Sequence, residues 1–193
     1  MRRIYQALIQ SQDRSYYIGC SDTSMVVGNW NTKTFEKWWL EKIGVNKNSF
    51  SNEATKAGNN YEHKILDSLE IEGLEKDKQI IIDRLRANLD GNTDTCIYEV
   101  KTHNAEKEFK VSKQYWRQAQ VEMYASGIHK LYIVAYGLIE NDYKNYFNEI
   151  DLNRIKFYPI NYDDTFINNE YLPKLKELTK CLKNGTFPRK EEI

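Results

Sequence analysis

The sequence predicts an α/β fold, a central mixed β-sheet flanked by helices. Three observations carry this. Leu131 to Gly137 (LYIVAYG) is apolar on both faces, as a strand covered on both sides requires. Four segments read as helices that end at or before a glycine. The elements follow in the order helix, helix, strands, helix, strand, strands, helix, which layers helices over a mixed sheet.

The first helix is expected over Thr34–Ile43, where Phe35, Trp38, Trp39 and Lys42/Ile43 form one stripe and Gly44 suits the stop. Asn52 and Glu53 start a second helix that runs to about Leu69, before Gly73. Gln79 to Leu89 reads as one extended stretch and Thr95 to Thr102 as the next strand. Ser112 caps a helix that runs to Ser126, with Gly127 after it. Tyr143–Ile150 and Ile155–Tyr162 are weaker strand candidates, nearer an edge. Tyr171, Leu175, Leu178 and Leu182 recur at helical spacing, so a last helix is expected, with Pro173 in its first turn and Gly185 and Pro188 beyond it.

A chain of 193 residues suggests a single domain over 1–193, long enough to bury a core without staples. A hydrophobic share of 40% with 13% aromatic excludes a disordered chain. Lys+Arg and Asp+Glu are both 28, so the chain as a whole is not a strongly basic nucleic-acid binder. A basic rim around a local acidic site remains compatible with that balance. Cys20, Cys96 and Cys181 are far apart with no CxxC pair, which argues against structural zinc and iron–sulfur ligation. An odd cysteine count without a signal peptide fits a reducing cytoplasm, and no apolar run has the length of a membrane span. His63, His103 and His129 share no ligand spacing, so no histidine metal site is expected.

The stretch from Leu89-Asp90-Gly91 to Glu99-Val100-Lys101 carries the chemistry. Strand alternation puts Ile97, Glu99 and Lys101 on one face and Cys96, Tyr98 and Val100 on the other. A carboxylate and an ammonium side by side, with Asp90 at a nearby turn, suit holding a divalent metal against a phosphodiester and managing a water. Glu62 lies on the same helix stripe as Ile65, Leu66 and Leu69, so its carboxylate points toward the core and needs a partner. The alternative is a carboxylate at the stripe's edge, paired with His63 or Lys64. Gln118 shares a helix face with Tyr115 and Glu122; it suits holding Lys101 or a phosphate, or is a surface amide. Arg14, Ser21 and a helix start at Ser21 or Asp22 would make a phosphate seat, while Asp22 equally suits an ordinary N-cap.

Together these stretches resemble the PD-(D/E)XK nuclease superfamily, in its YqaJ-like viral recombinase branch that includes phage lambda exonuclease. Four segments carry the resemblance: Arg14 with IGCSDTSMVVG (Ile18–Gly28) and the following TFEKWWLEKIG, GNNYE (Gly58–Glu62), LDG…YEVK (Leu89–Lys101), and YWRQAQVEMY (Tyr115–Tyr124). Leu89 stands where the superfamily has proline, and Asn88 where lambda exonuclease has a serine on the phosphate.

The resemblance implies a restriction-endonuclease-like core and a Mg²⁺-dependent deoxyribonuclease, with Mn²⁺ as a substitute. It implies that Asp90, Glu99 and the Val100 carbonyl bind one or two ions, with Glu62 completing the shell. Lys101 would orient or deprotonate the attacking water, Gln118 would support Lys101 or the phosphate, and Arg14 and Ser21 would seat a terminal 5′ phosphate. The implied task is 5′-to-3′ resection of duplex DNA ends for phage-type recombination, with a single-strand annealing protein as partner and a ring of three copies as the assembly. An endonuclease, a single-strand nuclease and a catalytically silent DNA-binding module are the competing readings.

Overall fold

A computed structural model describes residues 15–46 and 53–189. Its centre is a six-stranded mixed sheet built from β1 (Ile18–Gly19), β2 (Glu75–Ile82), β3 (Leu85–Asn92), β4 (Ile97–Asn104), β5 (Lys130–Leu138) and β6 (Ile155–Asn161). β4 and β5 run parallel from Ile97 opposite Leu131 to Asn104 opposite Leu138. β6 lies antiparallel on the far side of β5. The LYIVAYG strand is therefore interior, and Leu131, Ile133, Val134, Ala135 and Tyr136 are buried.

The join between the two halves of the sheet shapes the molecule's chemistry. β2 and β3 pair antiparallel from Glu75 opposite Asn92 to Ile82 opposite Leu85, with a break at Asp77 and Asp90. On its other side β3 meets β4 only through Gly91–Tyr98 and Asn92–Ile97. At its opposite end that side of β3 pairs in parallel with β1, through Ile18–Leu85 and Gly19–Arg86. Between these two contacts β3 and β4 diverge and leave a fork. Gly91 stands at its base, where an added Cβ would press on Leu66 Cδ2 at 3.0 Å.

The helices are α1 (Thr23–Val26), α2 (Lys33–Lys42), α3 (Glu53–Ser68), α4 (Lys113–Ser126), α5 (Glu140–Lys144) and α6 (Leu172–Asn184), the last preceded by a π-helical turn over Phe166–Tyr171. Thr32 Oγ1 accepts from the Phe35 amide at 3.1 Å and Ser112 Oγ from the Tyr115 amide at 3.2 Å, satisfying donors that start α2 and α4. Gly127 and Gly185 close α4 and α6 in the left-handed conformation. Tyr61, Ile65 and Leu66 of α3 pack with Val100, Val134 and Tyr136. Ala119 and Met123 of α4 pack with Leu89, Ile97, Leu131 and Ile133 on the opposite face. Trp38 and Trp39 of α2 pack with Leu175, Leu178 and Leu182 of α6 at the end of the sheet near β1.

Three expectations are corrected. Gln79–Leu89 is not one extended stretch but part of a hairpin, since β2 ends at Ile82 and β3 starts at Leu85. Asp83 makes the reversal with φ +54°, a left-handed position that Asp tolerates better than most side chains. Tyr143–Ile150 is not a strand. The short helix α5 occupies its start, and Asp142 fixes that helix by accepting from the Ile139 amide at 3.0 Å and from Arg154 at 2.5 Å. The helix expected at Ser21 or Asp22 begins as a 3₁₀ turn, Cys20–Asp22, and becomes α1 at Thr23. Asn52 lies outside the described residues.

Candidate active site

The fork between β3 and β4 opens into a cleft of about 830 Å³. Alternation along β4 sends Ile97 into the core under α4 and Val100 into the core under α3. Glu99 and Lys101 therefore share the α4 side, as the sequence predicts. Asp90 enters from β3 and Glu62 from α3, and all four side chains line the one cleft.

Asp90 Oδ2 accepts the Val100 backbone N–H at 2.8 Å. This bond replaces the ladder bond that β3 would have supplied had the strands stayed paired. On an extended strand a residue's N–H and C=O point to the same edge, so the Val100 carbonyl also faces the fork. Glu99 is 3% exposed. Its Oε1 accepts from Lys101 Nζ at 2.5 Å and from Gln118 Nε2 at 2.6 Å, and its Oε2 is buried without a hydrogen-bond partner among the described residues. Lys101 Nζ also lies over the Tyr115 ring, 5.3 Å from the centroid.

The crowding of acids has electrostatic consequences. Burial, with Glu99 and Glu62 beside it, pushes the Asp90 carboxyl well above the usual carboxylate range. Burial and Glu99 push Glu62 in the same direction. Burial works against the Lys101 ammonium, but Glu99 and Asp90 outweigh it and hold its pKa above the ordinary lysine value.

At the β1 end of the same cleft stand Ser21, Lys42, Arg86 and Asn88. Asp22 is not a side-chain N-cap. It reaches back to the Gly19 amide at 2.8 Å, accepts from Trp38 Nε1 at 3.1 Å and pairs with the buried Lys42 ammonium at 2.6 Å. Its charge is spent on tying the Cys20–Asp22 turn to α2. Asn88 accepts from Gln79 Nε2 at 3.0 Å. Arg14 lies outside the described residues.

The structure thus brings together Glu62, Asp90, Glu99, Val100, Lys101, Gln118 and Ser21. Of the contacts expected for Gln118, the one to Lys101 is not made: its amide donates to Glu99 Oε1 and to Glu122 Oε1 at 2.7 Å. Sequence reasoning missed two cleft residues. Glu122 is fully buried and its Oε2 has no hydrogen-bond partner among the described residues. The signal was its i+4 spacing from Gln118 on α4. Arg86 was legible in the alternation Arg86, Asn88, Asp90 along β3. A histidine does stand near acids: ligand atoms of Glu62, His63 and Asp77 lie within 4.8 Å of one another. Sequence spacing could not show this, because Asp77 comes from β2 while His63 is on α3. His63 and Asp77 are exposed and pair at 3.0 Å.

No family model matches the chain, and no curated protein matches it. Solved structures do. The alkaline exonuclease LHK-Exo from Laribacter hongkongensis is 19% identical over 95% of this chain and 95% of its own, with a TM-score of 0.64. A structure of LHK-Exo in complex with dAMP gives 21% identity, 89% and 92% coverage and a TM-score of 0.65. A phage-related exonuclease from Haemophilus somnus 129PT gives 20% identity, 88% and 92% coverage and a TM-score of 0.54. The fold is that of these exonucleases. The α/β core with a central mixed sheet is thereby established. Among the described residues no helix is long and apolar enough to cross a membrane.

Proposed function

We propose that the protein is a metal-dependent DNA exonuclease that degrades duplex ends from 5′ to 3′. The observation that carries this reading is the fork: three carboxylates, a backbone carbonyl and a lysine converge where β3 and β4 part, and Glu99 Oε2 is buried there without a hydrogen-bond partner among the described residues. Burying several acids in one cleft costs free energy that one lysine offsets only in part. A divalent cation fits the donor set, which is all oxygen, as Mg²⁺ or Mn²⁺ prefers.

Asp90, Glu99 and the Val100 carbonyl would hold the ion, with Glu62 facing them from α3. The bound ion would lower the pKa of a water and stabilise charge on the leaving oxygen. Lys101 would do the rest of the electrostatic work. From its place beside Glu99 it would orient the attacking water and support charge on the phosphoryl oxygens. Gln118 fixes Glu99. Ser21 and Arg86, at the β1 end of the cleft, would meet the terminal phosphate and so favour an end over the middle of a strand. Single strands released in this way suit an annealing partner in recombination, and a ring of three copies would hold the duplex.

The test uses linear duplexes with and without a 5′ phosphate, labelled at either end, beside a closed circular plasmid. The expected result is Mg²⁺-dependent release of nucleotides from 5′-phosphorylated ends and an intact circle. Nicking of the circle would make the protein an endonuclease. No cleavage of any substrate with Mg²⁺ or Mn²⁺ would leave the silent DNA-binding module.

A further inference from the structure

Glu122 has no place in the chemistry above, yet it is the acid most completely removed from water in the cleft wall, 0% exposed on the inner face of α4. A buried carboxylate without a cation is costly, and an apolar side chain of similar volume is the cheaper occupant of a helix face. Burial and then Glu99 push its carboxyl well above the usual range.

Its contacts show what it does. The two hydrogens of the Gln118 amide nitrogen are divided between two carboxylates, Glu99 Oε1 at 2.6 Å and Glu122 Oε1 at 2.7 Å. The two ends of a glutamine amide are nearly isosteric, so the surroundings decide which end faces where. Oε1 of each carboxylate accepts here. With acceptors on both sides the nitrogen end is fixed toward Glu99, and Gln118 has no second hydrogen left to draw it elsewhere. Glu99 in turn is held at Oε1 by Gln118 and Lys101, and its other oxygen has no hydrogen-bond partner among the described residues.

We infer that Glu122 is a positioning residue for the metal ligand Glu99, acting through the Gln118 amide. This rests on the reading of the fork as a divalent-metal site. Partners of this kind behind a ligand typically change metal affinity by about 10- to 100-fold.

The test is Mn²⁺ titration by calorimetry, without DNA, of the wild-type protein, Glu122→Gln, Gln118→Met and the double variant, with thermal melts alongside. Each single variant is expected to weaken Mn²⁺ binding by roughly tenfold. The double is expected to lose no more than the worse single, because both act through one bridge. In nuclease assays the half-saturating Mn²⁺ should rise in proportion, while the rate at saturating metal changes less than the affinity. Wild-type Mn²⁺ affinity in a folded Glu122→Gln protein, whatever its melting temperature, would reduce Glu122 to a core residue and overturn the inference. Full additivity in the double variant would overturn it too. Should Glu122→Gln not fold, unchanged affinity in Gln118→Met overturns the inference from the other end of the bridge. If the wild-type protein takes up no Mn²⁺, the metal reading itself fails and this inference with it; uptake by wild type with an unaffected variant sinks the inference alone.

Discussion

Asp90 Oδ2 accepts the backbone N–H of Val100 at 2.8 Å across the gap between β3 and β4. One carboxylate thus closes the fork and stands among the acids that face it. These two tasks respond differently to a neutral replacement. Asparagine keeps an oxygen for Val100 but removes a charge from a crowd of like charges. Asp90→Asn is therefore expected to raise the melting temperature of the metal-free protein and to lower nucleotide release from labelled duplexes by at least about 100-fold. A fall in stability with activity retained would mean that Asp90 serves only the sheet.

Stability without metal should depend on pH in a definite direction. Glu62, Asp90 and Glu122 all have carboxyl pKa values raised in the folded protein, chiefly by burial and then by Glu99. Between the unfolded and folded pKa of each, the native state binds more protons than the unfolded chain, so stability falls as pH rises through that interval. Asp142 has the opposite sign. Its pKa is lowered by the Ile139 amide and by Arg154, against the effect of burial, so its contribution is lost in more acidic solution, as pH falls through the folded value. The expected result is a metal-free melting temperature that declines as pH rises above the ordinary carboxylate range. Mg²⁺ should restore it at the upper end, because the ion binds the native state alone. Asp90→Asn should flatten the decline. A profile that rises with pH instead would show that the cleft acids are not raised.

Much of this site could be read before the fold was known, and the reasons are local. Glu99 and Lys101 follow strand alternation, and Glu62 follows the stripe of α3. Gly44, Gly127 and Gly185 mark three helix ends where the sequence places them. What escaped has physical causes. The Asp83 reversal uses a residue that merely tolerates the left-handed region, with no glycine or proline to announce it. α5 is only five residues long and is fixed by the bonds of Asp142 to the Ile139 amide and to Arg154, so Tyr143 with Tyr146 and Ile150 beyond it read as a strand. Glu122 looked like an ordinary polar helix residue, because its burial depends on Glu99 arriving from a strand elsewhere in the sequence.

The Asp142–Arg154 pair gives a test of stability separate from the cleft. Asp142 is 1% exposed and accepts from the Ile139 amide, Asn148 Nδ2 and Arg154 Nη1. Arg154 Nη1 also donates to the Gly137 carbonyl at 3.0 Å, and its guanidinium lies 4.7 Å from the Tyr136 ring centroid. Removing Asp142 leaves a largely covered guanidinium with only the more exposed Asp151 carboxylate, 3.5 Å from Nε, and the start of α5 without its cap. Asp142→Ala is expected to cost about 3 kcal/mol in urea unfolding, the range found when one partner of a buried pair is removed. A loss under about 1 kcal/mol would place the pair with surface ion pairs instead.

Arg86 lines the β1 end of the cleft, where the proposed function places the terminal phosphate. The chain has equal numbers of basic and acidic residues, so binding must come from a few local contacts and not from the whole surface. Among the described residues Lys42, Arg86 and Lys101 line the cleft, and Lys42 pairs with Asp22 and Lys101 with Glu99. The Arg86 backbone is held by β1 through Gly19, and its guanidinium lies 5.4 Å from the centroid of the buried Tyr17 ring. Arg86 and Ser21 line the same cleft, and a guanidinium fork suits the paired oxygens of a terminal phosphate. The salt dependence of binding should therefore be shallow, and Arg86→Gln should reduce its slope in log K against log salt by about one. The preference for 5′-phosphorylated over hydroxyl ends should fall with it. Arg86→Lys should keep the slope and lose part of the preference, because an ammonium carries the charge without the two-pronged geometry. If both variants bind the two kinds of end as wild type does, Arg86 only holds Tyr17 and β1, and the phosphate is met elsewhere.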